Sequence, residues 1–349
     1  MEYNIFMHFT GFPSKQRFID FAQFVIPTFG NDDIVYWNTK ACKRRRVNMK
    51  QLLEVGLENT EDETDSLDDT RQKSRKMTVW NELLLTLMKL RTGCSNIDLA
   101  VRFNIAEGTV SNKVITHVNL LYTTLGSLKI WPHRDIILKH APTKFFKKYP
   151  NTVIIIDATE LFIQIPSSLQ KQSESYSQYK HHTTMKGLLG VDPKGGVIFV
   201  SQLFEGSISD KELVNRSGFL NVLKAKINCG EIHKGDIVMA DRGFLIEDEL
   251  RAMGLKLNSP PFLREKGNFN VHDVIKIQTV AKHRIHIERA IGKIKTFMIF
   301  KSTLPVAMFG TLNQVWTVVC LLSNFQNPIL TNEDNENVDF EAATSSRTN

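Results

Sequence analysis

Cysteine is scarce in this chain and is not arranged for a metal site or a disulfide framework. The four cysteines, Cys42, Cys94, Cys229 and Cys320, lie far apart and include no Cys-x-x-Cys pair. This spacing predicts reduced thiols of an intracellular protein and argues against a structural zinc site.

Long apolar runs are also missing. No run approaches the roughly 20 residues that a membrane span needs. The first residues, Met-Glu-Tyr-Asn, lack the basic region and apolar core of a secretory signal. We therefore expect no membrane partner. The 349 residues, 42% of them apolar, suffice for two or more domains, and the net charge of +7 is compatible with a nucleic-acid partner.

Two apolar runs each end in an aspartate. Val153 to Ile156 is typical of a buried strand and is followed by Asp157, and the apolar residues 237–240 are followed by Asp241. A buried carboxylate without a partner costs several kcal/mol or more, so each aspartate must be paired, hydrogen-bonded or metal-bound. Since ligands of α/β sheets lie at the carboxyl ends of strands, both aspartates are candidate site residues.

A third carboxylate, Glu288, borders an apolar stripe with helical spacing. The stripe consists of Val280, Ile287, Ile291, Ile294 and Met298. A helix docked on the sheet could point Glu288 toward the two aspartates, and three such oxygen donors suit Mg²⁺ or Mn²⁺. Each carboxylate alone is better explained as a structural, salt-bridged residue, but the combination is harder to explain that way.

The chain divides into five predicted segments. They are a helical lead-in (1–38), a charged, disordered linker (39–76), a helix-turn-helix domain (77–130), an α/β (α+β) domain (145–328) and a disordered polar tail (329–349). Within the last domain we expect strands at 153–156, 161–165, 185–191 and 197–203, and a loop over 167–180.

The helix-turn-helix prediction depends on residues 95–113. Ser95 caps a short helix, residues 104–108 form a turn, and a third helix begins near Thr109. Its first turn carries Thr109, Ser111, Asn112 and Lys113, which could meet base edges and phosphates. The alternative is an ordinary three-helix bundle.

Several charged residues of the α/β segment are weaker candidates. Lys180, His182 and Lys186 precede or begin a strand and either contact DNA phosphates or are exposed loop charges. Arg284, near Glu288, either binds phosphate or only balances local charge. Asp210 is either a further acidic group near the site or a helix N-terminal residue.

Six short motifs stand in a specific order. They are residues 156–160 (IDATE), 179–187 (YKHHTTMKG), 206–210 (GSISD), 239–244 (MADRGF), 260–262 (PPF) and 284–290 (RIHIERA). In this order they resemble the DDE superfamily endonucleases, transposase relatives that include the Harbinger group. The helices at 77–130 resemble the helix-turn-helix often fused to that nuclease.

The resemblance implies an RNase H-like fold, a mixed sheet flanked by helices, in which Asp157, Asp241 and Glu288 hold two divalent metal ions, Mg²⁺ or Mn²⁺. It implies cleavage, and joining, of phosphodiester bonds in double-stranded DNA, in a nucleus. Many relatives carry a zinc-finger module that this chain lacks, so a homo-oligomer or a separate DNA-binding protein is an expected partner. The alternatives are a domesticated DNA-binding or scaffolding protein that does not cut, and a nuclease directed at RNA.

Overall fold

The computed structural model describes residues 2–29, 34, 77–260 and 285–328. The rest of the predicted lead-in, the predicted linker and the predicted tail lie outside these residues, as does Cys42. The chain begins with two helices, α1 (Glu2–Thr10) and α2 (Lys15–Phe29). Helix α2 starts where the Ser14 hydroxyl accepts a hydrogen bond from the Arg17 N–H at 3.2 Å.

Three further helices follow: α3 (Val79–Thr92), α4 (Asn96–Phe103) and α5 (Glu107–Gly126). Helix α3 ends at Gly93, whose positive φ of 63° suits a residue without a side chain. Ser95 caps α4, as expected. Helix α5 begins at Glu107, two residues before the expected Thr109, because the chain already turns from extended to helical after Ala106.

The remaining elements form a sheet and its covering helices. The strands are β1 (Thr152–Phe162), β2 (Tyr176–Ser177), β3 (His182–Val191), β4 (Val197–Glu205), β5 (Ile237–Met239) and β6 (Lys256–Asn258). The helices are α6 (Arg134–His140), α7 (Thr143–Lys148), α8 (Leu169–Ser175), α9 (Asp210–Arg216), α10 (Phe219–Asn228), α11 (Glu247–Ala252), α12 (285–295) and α13 (Leu312–Leu322). None of the helices in the described ranges is both long and apolar enough to cross a bilayer.

The sheet is mixed. Its strands lie in the order β4-β3-β1-β5-β6, and β2 pairs with the first residues of β3. Strands β4, β3 and β1 are antiparallel, whereas β1, β5 and β6 are parallel. The predicted fold class, a mixed sheet flanked by helices and preceded by an all-helical region, is confirmed.

Two local predictions were wrong. The strand expected at 153–156 and the first two residues of the one expected at 161–165 belong to a single strand, because β3 pairs with β1 without interruption from Ile155 to Phe162. The loop expected over 167–180 contains helix α8 and strand β2, because Tyr176 and Ser177 find backbone partners on β3.

The two faces of the sheet pack against different helices. Ile156, Leu213, Phe219 and Leu250 belong to a core on the face covered by α6, α9, α10 and α11. The opposite core contains Ile155, Met239 and Trp316, and it extends without a break into α2, α3 and α5. The segments predicted as a helix-turn-helix domain and a nuclease domain therefore share one apolar core.

Gly190 shows how closely the sheet is packed. A Cβ at this position would lie 2.6 Å from Cδ1 of Ile154 and 3.0 Å from Cβ of Phe199. We expect Gly190→Ala to lower the free energy of unfolding by about 1–3 kcal/mol through overpacking, measured by urea denaturation. The matched control is Gly292→Ala, because nothing lies within 4 Å of that site on α12. There the greater helix propensity of alanine is expected to add up to about 1 kcal/mol. Equal effects at both positions would contradict this account.

Candidate active site at the acidic sheet edge

The pairing of β1 with β5 brings Asp157 and Asp241 to the same place on the sheet. The strands are parallel, with Ile155 opposite Met239, and each aspartate follows two residues later. Because side chains alternate along a strand, both aspartates share the face of Ile155 and Met239, whose core also contains Ile287 of α12. We call this region, with Asp157 and Asp241, the acidic edge.

Each aspartate is oriented by its own backbone. Oδ1 of Asp157 accepts a hydrogen bond from the Ala158 N–H at 2.8 Å, and Oδ1 of Asp241 accepts one from the Arg242 N–H at 2.7 Å. Both side chains are half-buried. Asp157 does not end its strand, contrary to expectation. It lies instead beside the end of β5, where the sheet opens.

Glu288 lies on helix α12, whose residue Ile287 belongs to the same core as Ile155 and Met239. Its neighbour Ile287 and Ile294, two turns further on, are buried in the core beneath the helix, while Glu288 is exposed. His286 packs edge-on against Phe145 of α7, with ring centroids 5.6 Å apart, which fixes the start of the described helix. Glu288 therefore lies at the border of the packed face, as the apolar stripe predicted.

Two lysines of α12 lie in a partly desolvated setting. Burial lowers the pKa of Lys293 to about 8. Desolvation also lowers the pKa of Lys295, and repulsion from Lys180 adds to this, whereas the charges of Glu160 and Asp157 act in the opposite direction. Lys295 is thus within electrostatic reach of the acidic edge, a relation that the sequence analysis missed. Its spacing of seven residues from Glu288, on one side of a helix, was the available signal.

The three carboxylates do not form a closed cage. Within the described ranges, no three His, Cys, Asp or Glu side chains stand close enough together to hold a metal ion. The two aspartates on one sheet face offer oxygen atoms alone. This donor set is of the type that hard divalent cations prefer, and an open arrangement leaves room for water and substrate oxygens.

The predicted DNA contacts on α5 differ in exposure. Asn112 is exposed, and Thr109 and Ser111 are half-buried. Lys113 points inward, contrary to expectation: its ammonium forms an ion pair with Glu82 of α3, and the two side chains are 13% and 0% exposed. His117 Nε2 lies 3.6 Å from the other oxygen of Glu82. The buried carboxylate draws the lysine into the helix interface, where it cannot reach a groove.

The other predicted DNA contacts fall in several places. Lys180 is exposed at the turn between β2 and β3, with its ammonium 4.6 Å from the centre of the Tyr179 ring. His182 is exposed and packs edge-on against Phe162 at 5.3 Å. Arg284 lies outside the described residues.

Lys186 is a strand residue with fixed partners rather than a loop charge. Its Nζ lies 2.7 Å from Oδ1 of Asp210 and 3.2 Å from the Ile208 carbonyl oxygen. Asp210 also stands against Gly243, where a Cβ would come within 2.5 Å of Oδ2. The motifs 206–210 and 239–244, which are distant in sequence, therefore meet two residues from Asp241.

Comparisons with known proteins identify the family of the chain. Among solved structures, the crystal structure of the mariner Mos1 paired end complex with Mg is similar, at 13% identity and a TM-score of 0.22, over 87% of this chain and 92% of that one. A similarity at that TM-score adds no weight. No curated protein matches the chain. Residues 75–127 match the helix-turn-helix of DDE superfamily endonuclease, and residues 156–324 match the DDE superfamily endonuclease itself. The chain therefore belongs to the DDE superfamily endonucleases and carries their helix-turn-helix ahead of the endonuclease segment.

Proposed function

We propose that this chain is a metal-dependent, transposase-like DNA endonuclease whose catalytic residues are Asp157, Asp241 and Glu288. The observation that carries the proposal is the parallel register of β1 and β5, which sets both aspartates on the face whose core also contains Ile287, the neighbour of Glu288. Family members generally use divalent metals, and these three carboxylates are the residues that would hold Mg²⁺ or Mn²⁺, two ions by analogy with the family.

A bound divalent metal would supply Lewis-acid polarisation of a phosphoryl oxygen and a lowered pKa for water. The residues of the chain supply position and charge. The backbone hydrogen bonds to Asp157 and Asp241 orient one oxygen of each carboxylate. Lys295 brings a positive charge to the same edge, where a DNA phosphate would otherwise meet only carboxylates.

Double-stranded DNA is the proposed partner. The exposed start of α5 would enter a groove through Thr109, Ser111 and Asn112, which are polar and not committed to buried ion pairs. Lys180, exposed on the β2–β3 turn and electrostatically coupled to Lys295, would contact the backbone nearer the acidic edge. Binding of this kind weakens as salt concentration rises.

A second candidate is a DNA-binding protein derived from such an endonuclease that no longer cuts. The open arrangement favours it, since the described part of the chain brings no three potential metal ligands together. The two functions predict the same DNA binding and differ only in strand cleavage.

Nicking of supercoiled plasmid tests the proposal. We expect the full chain to nick the plasmid with Mg²⁺ or Mn²⁺ and to stop when EDTA is added. Glu288→Gln removes one negative oxygen donor and is expected to lower the rate by about 100-fold. The matched control is Glu247→Gln, whose side chain is 67% exposed on α11. DNA bound but not nicked under any metal would favour the binding protein, and nicking of RNA alone would favour an RNA nuclease.

A further inference from the structure

A cavity of about 670 Å³, with a lining of mixed polarity, lies beside the acidic edge but on the opposite face of β1. Helix α8 and the β2–β3 turn form its walls, and Glu160 and Lys186 contribute from the sheet. The volume is in the range of small-molecule sites. Since Glu160 and Asp157 are separated by three positions on one strand, they lie only about 10 Å apart along it.

The sheet side of the cavity carries two fixed charges of opposite sign. Glu160 and Lys186 are direct partners across β1 and β3. Oε2 of Glu160 accepts a hydrogen bond from the Thr184 hydroxyl at 2.8 Å, and Lys186 is held by Asp210 and the Ile208 carbonyl. Glu160 would repel a phosphate. An uncharged group that has a hydrogen-bond donor and an acceptor on one edge could instead donate to Glu160 and accept from Lys186.

The wall of the cavity is aromatic and open. Tyr176 is 43% exposed and Tyr179 is 79% exposed, although large aromatic side chains are usually well buried. Tyr176 begins β2 and Tyr179 lies in the turn from β2 into β3. The ammonium of Lys180 lies over the Tyr179 ring, and both tyrosines line the cavity. A flat ring with polar edges could stack on these tyrosines, an interaction worth about 1–3 kcal/mol per base.

We propose that this cavity, the tyrosine pocket, binds one unpaired nucleobase of the DNA substrate, next to the phosphodiester held at the acidic edge. The proposal rests on the DNA-directed function above. Asp210 links the two sites, since it holds Lys186 of the pocket and stands against Gly243 in the turn after Asp241. A base that leaves the duplex costs a few kcal/mol in stacking and pairing, which stacking on tyrosine and hydrogen bonds to Glu160 and Lys186 would offset.

Binding rather than cleavage tests this proposal. The protein is the full chain with Asp157→Asn, so that no DNA is cut. The probes are two DNA duplexes of the same sequence with one extra unpaired nucleotide, which is an adenine in one and an abasic residue in the other. Fluorescence anisotropy gives the dissociation constant for each.

We expect the chain to prefer the adenine duplex over the abasic duplex by about 5- to 150-fold, the factor that corresponds to about 1–3 kcal/mol of stacking. Adding Tyr179→Ala should remove most of the preference, and Tyr179→Phe should retain it because the ring remains. Tyr122→Ala is the control, an exposed tyrosine on α5 outside the pocket. The Tyr179 side chain is 79% exposed, so its substitutions should leave thermal unfolding unchanged.

Three results would contradict the proposal, and a fourth would contradict only the proposed cleavage. A chain that cuts plasmid but shows no preference for the base would remove the pocket and leave the endonuclease function standing. The same preference with and without the Tyr179 ring would place base recognition elsewhere. Stronger binding of the matching RNA duplex would overturn the assignment to DNA. A base preference that depends on Tyr179 in a chain that never cuts would retain the pocket and overturn only the proposed cleavage.

Discussion

Asp157→Asn and Asp241→Asn are each expected to reduce strand cleavage by about a thousand-fold without loosening the fold. Asparagine keeps the side-chain oxygen that accepts the Ala158 or Arg242 N–H, so the local geometry survives. It removes the negative charge, however, and a neutral amide is a poor ligand for a hard divalent cation. The measurement is the rate of plasmid nicking at saturating Mn²⁺.

A control substitution and a metal-binding experiment test whether the loss of cleavage comes from the loss of metal binding at these two aspartates. Asp248→Asn makes the same chemical change on α11, where the side chain is 90% exposed, and should nick as the unchanged chain does. Calorimetric titration of Mn²⁺ should show the loss of binding in the Asp157 and Asp241 variants alone. Cleavage at the normal rate by either variant would remove that aspartate from the site, whatever its place on the sheet.

Lys113→Ala is expected to lower the free energy of unfolding by about 3–5 kcal/mol. The substitution leaves the carboxylate of Glu82, which is fully buried between α3 and α5, without its ammonium partner. Urea denaturation followed by circular dichroism measures the loss. The double variant Glu82→Leu with Lys113→Met fills the space with apolar groups and should recover a large part of it.

The neighbouring Asn112→Ala separates stability from DNA binding. Asn112 is exposed at the start of α5, so its substitution should change the unfolding free energy by no more than about 0.5 kcal/mol and should weaken DNA binding. Lys113→Ala, below its unfolding temperature, should bind DNA with unchanged affinity and salt dependence. A flatter salt dependence for Lys113→Ala would instead mean that the lysine leaves Glu82 and meets a phosphate.

The sequence predicted the secondary structure correctly where the spacing of apolar residues alone determined it. The apolar runs before Asp157 and Asp241 predicted buried strands, and the stripe around Glu288 predicted a helix packed on them. The order of the motifs gave the family, which is confirmed. The roles of Asp157, Asp241 and Glu288 in metal binding and catalysis stay predictions.

What the sequence did not give depends on partners far along the chain. From the sequence, Lys113 is predicted to be an exposed residue at the start of a helix. In the fold, α3 places Glu82 opposite it and the two form an ion pair. Strand β1 continues past Asp157 only because β3 offers partners along that whole length. The contact of Asp210 with Gly243 joins two segments whose distance in sequence says nothing about their distance in space.

The shared core of the helical region and the sheet has a consequence for where a cut would fall. Helix α3 is fastened to the end of α12, since Arg91 donates a hydrogen bond to Thr296 and lies over the Phe297 ring, and Gly93 packs on the Met298 backbone. Sheet and helices continue this contact through one packed interior. The distance between a duplex bound at α5 and the carboxylates would then be fixed. The chain would therefore cut at a constant number of base pairs from the sequence that α5 binds.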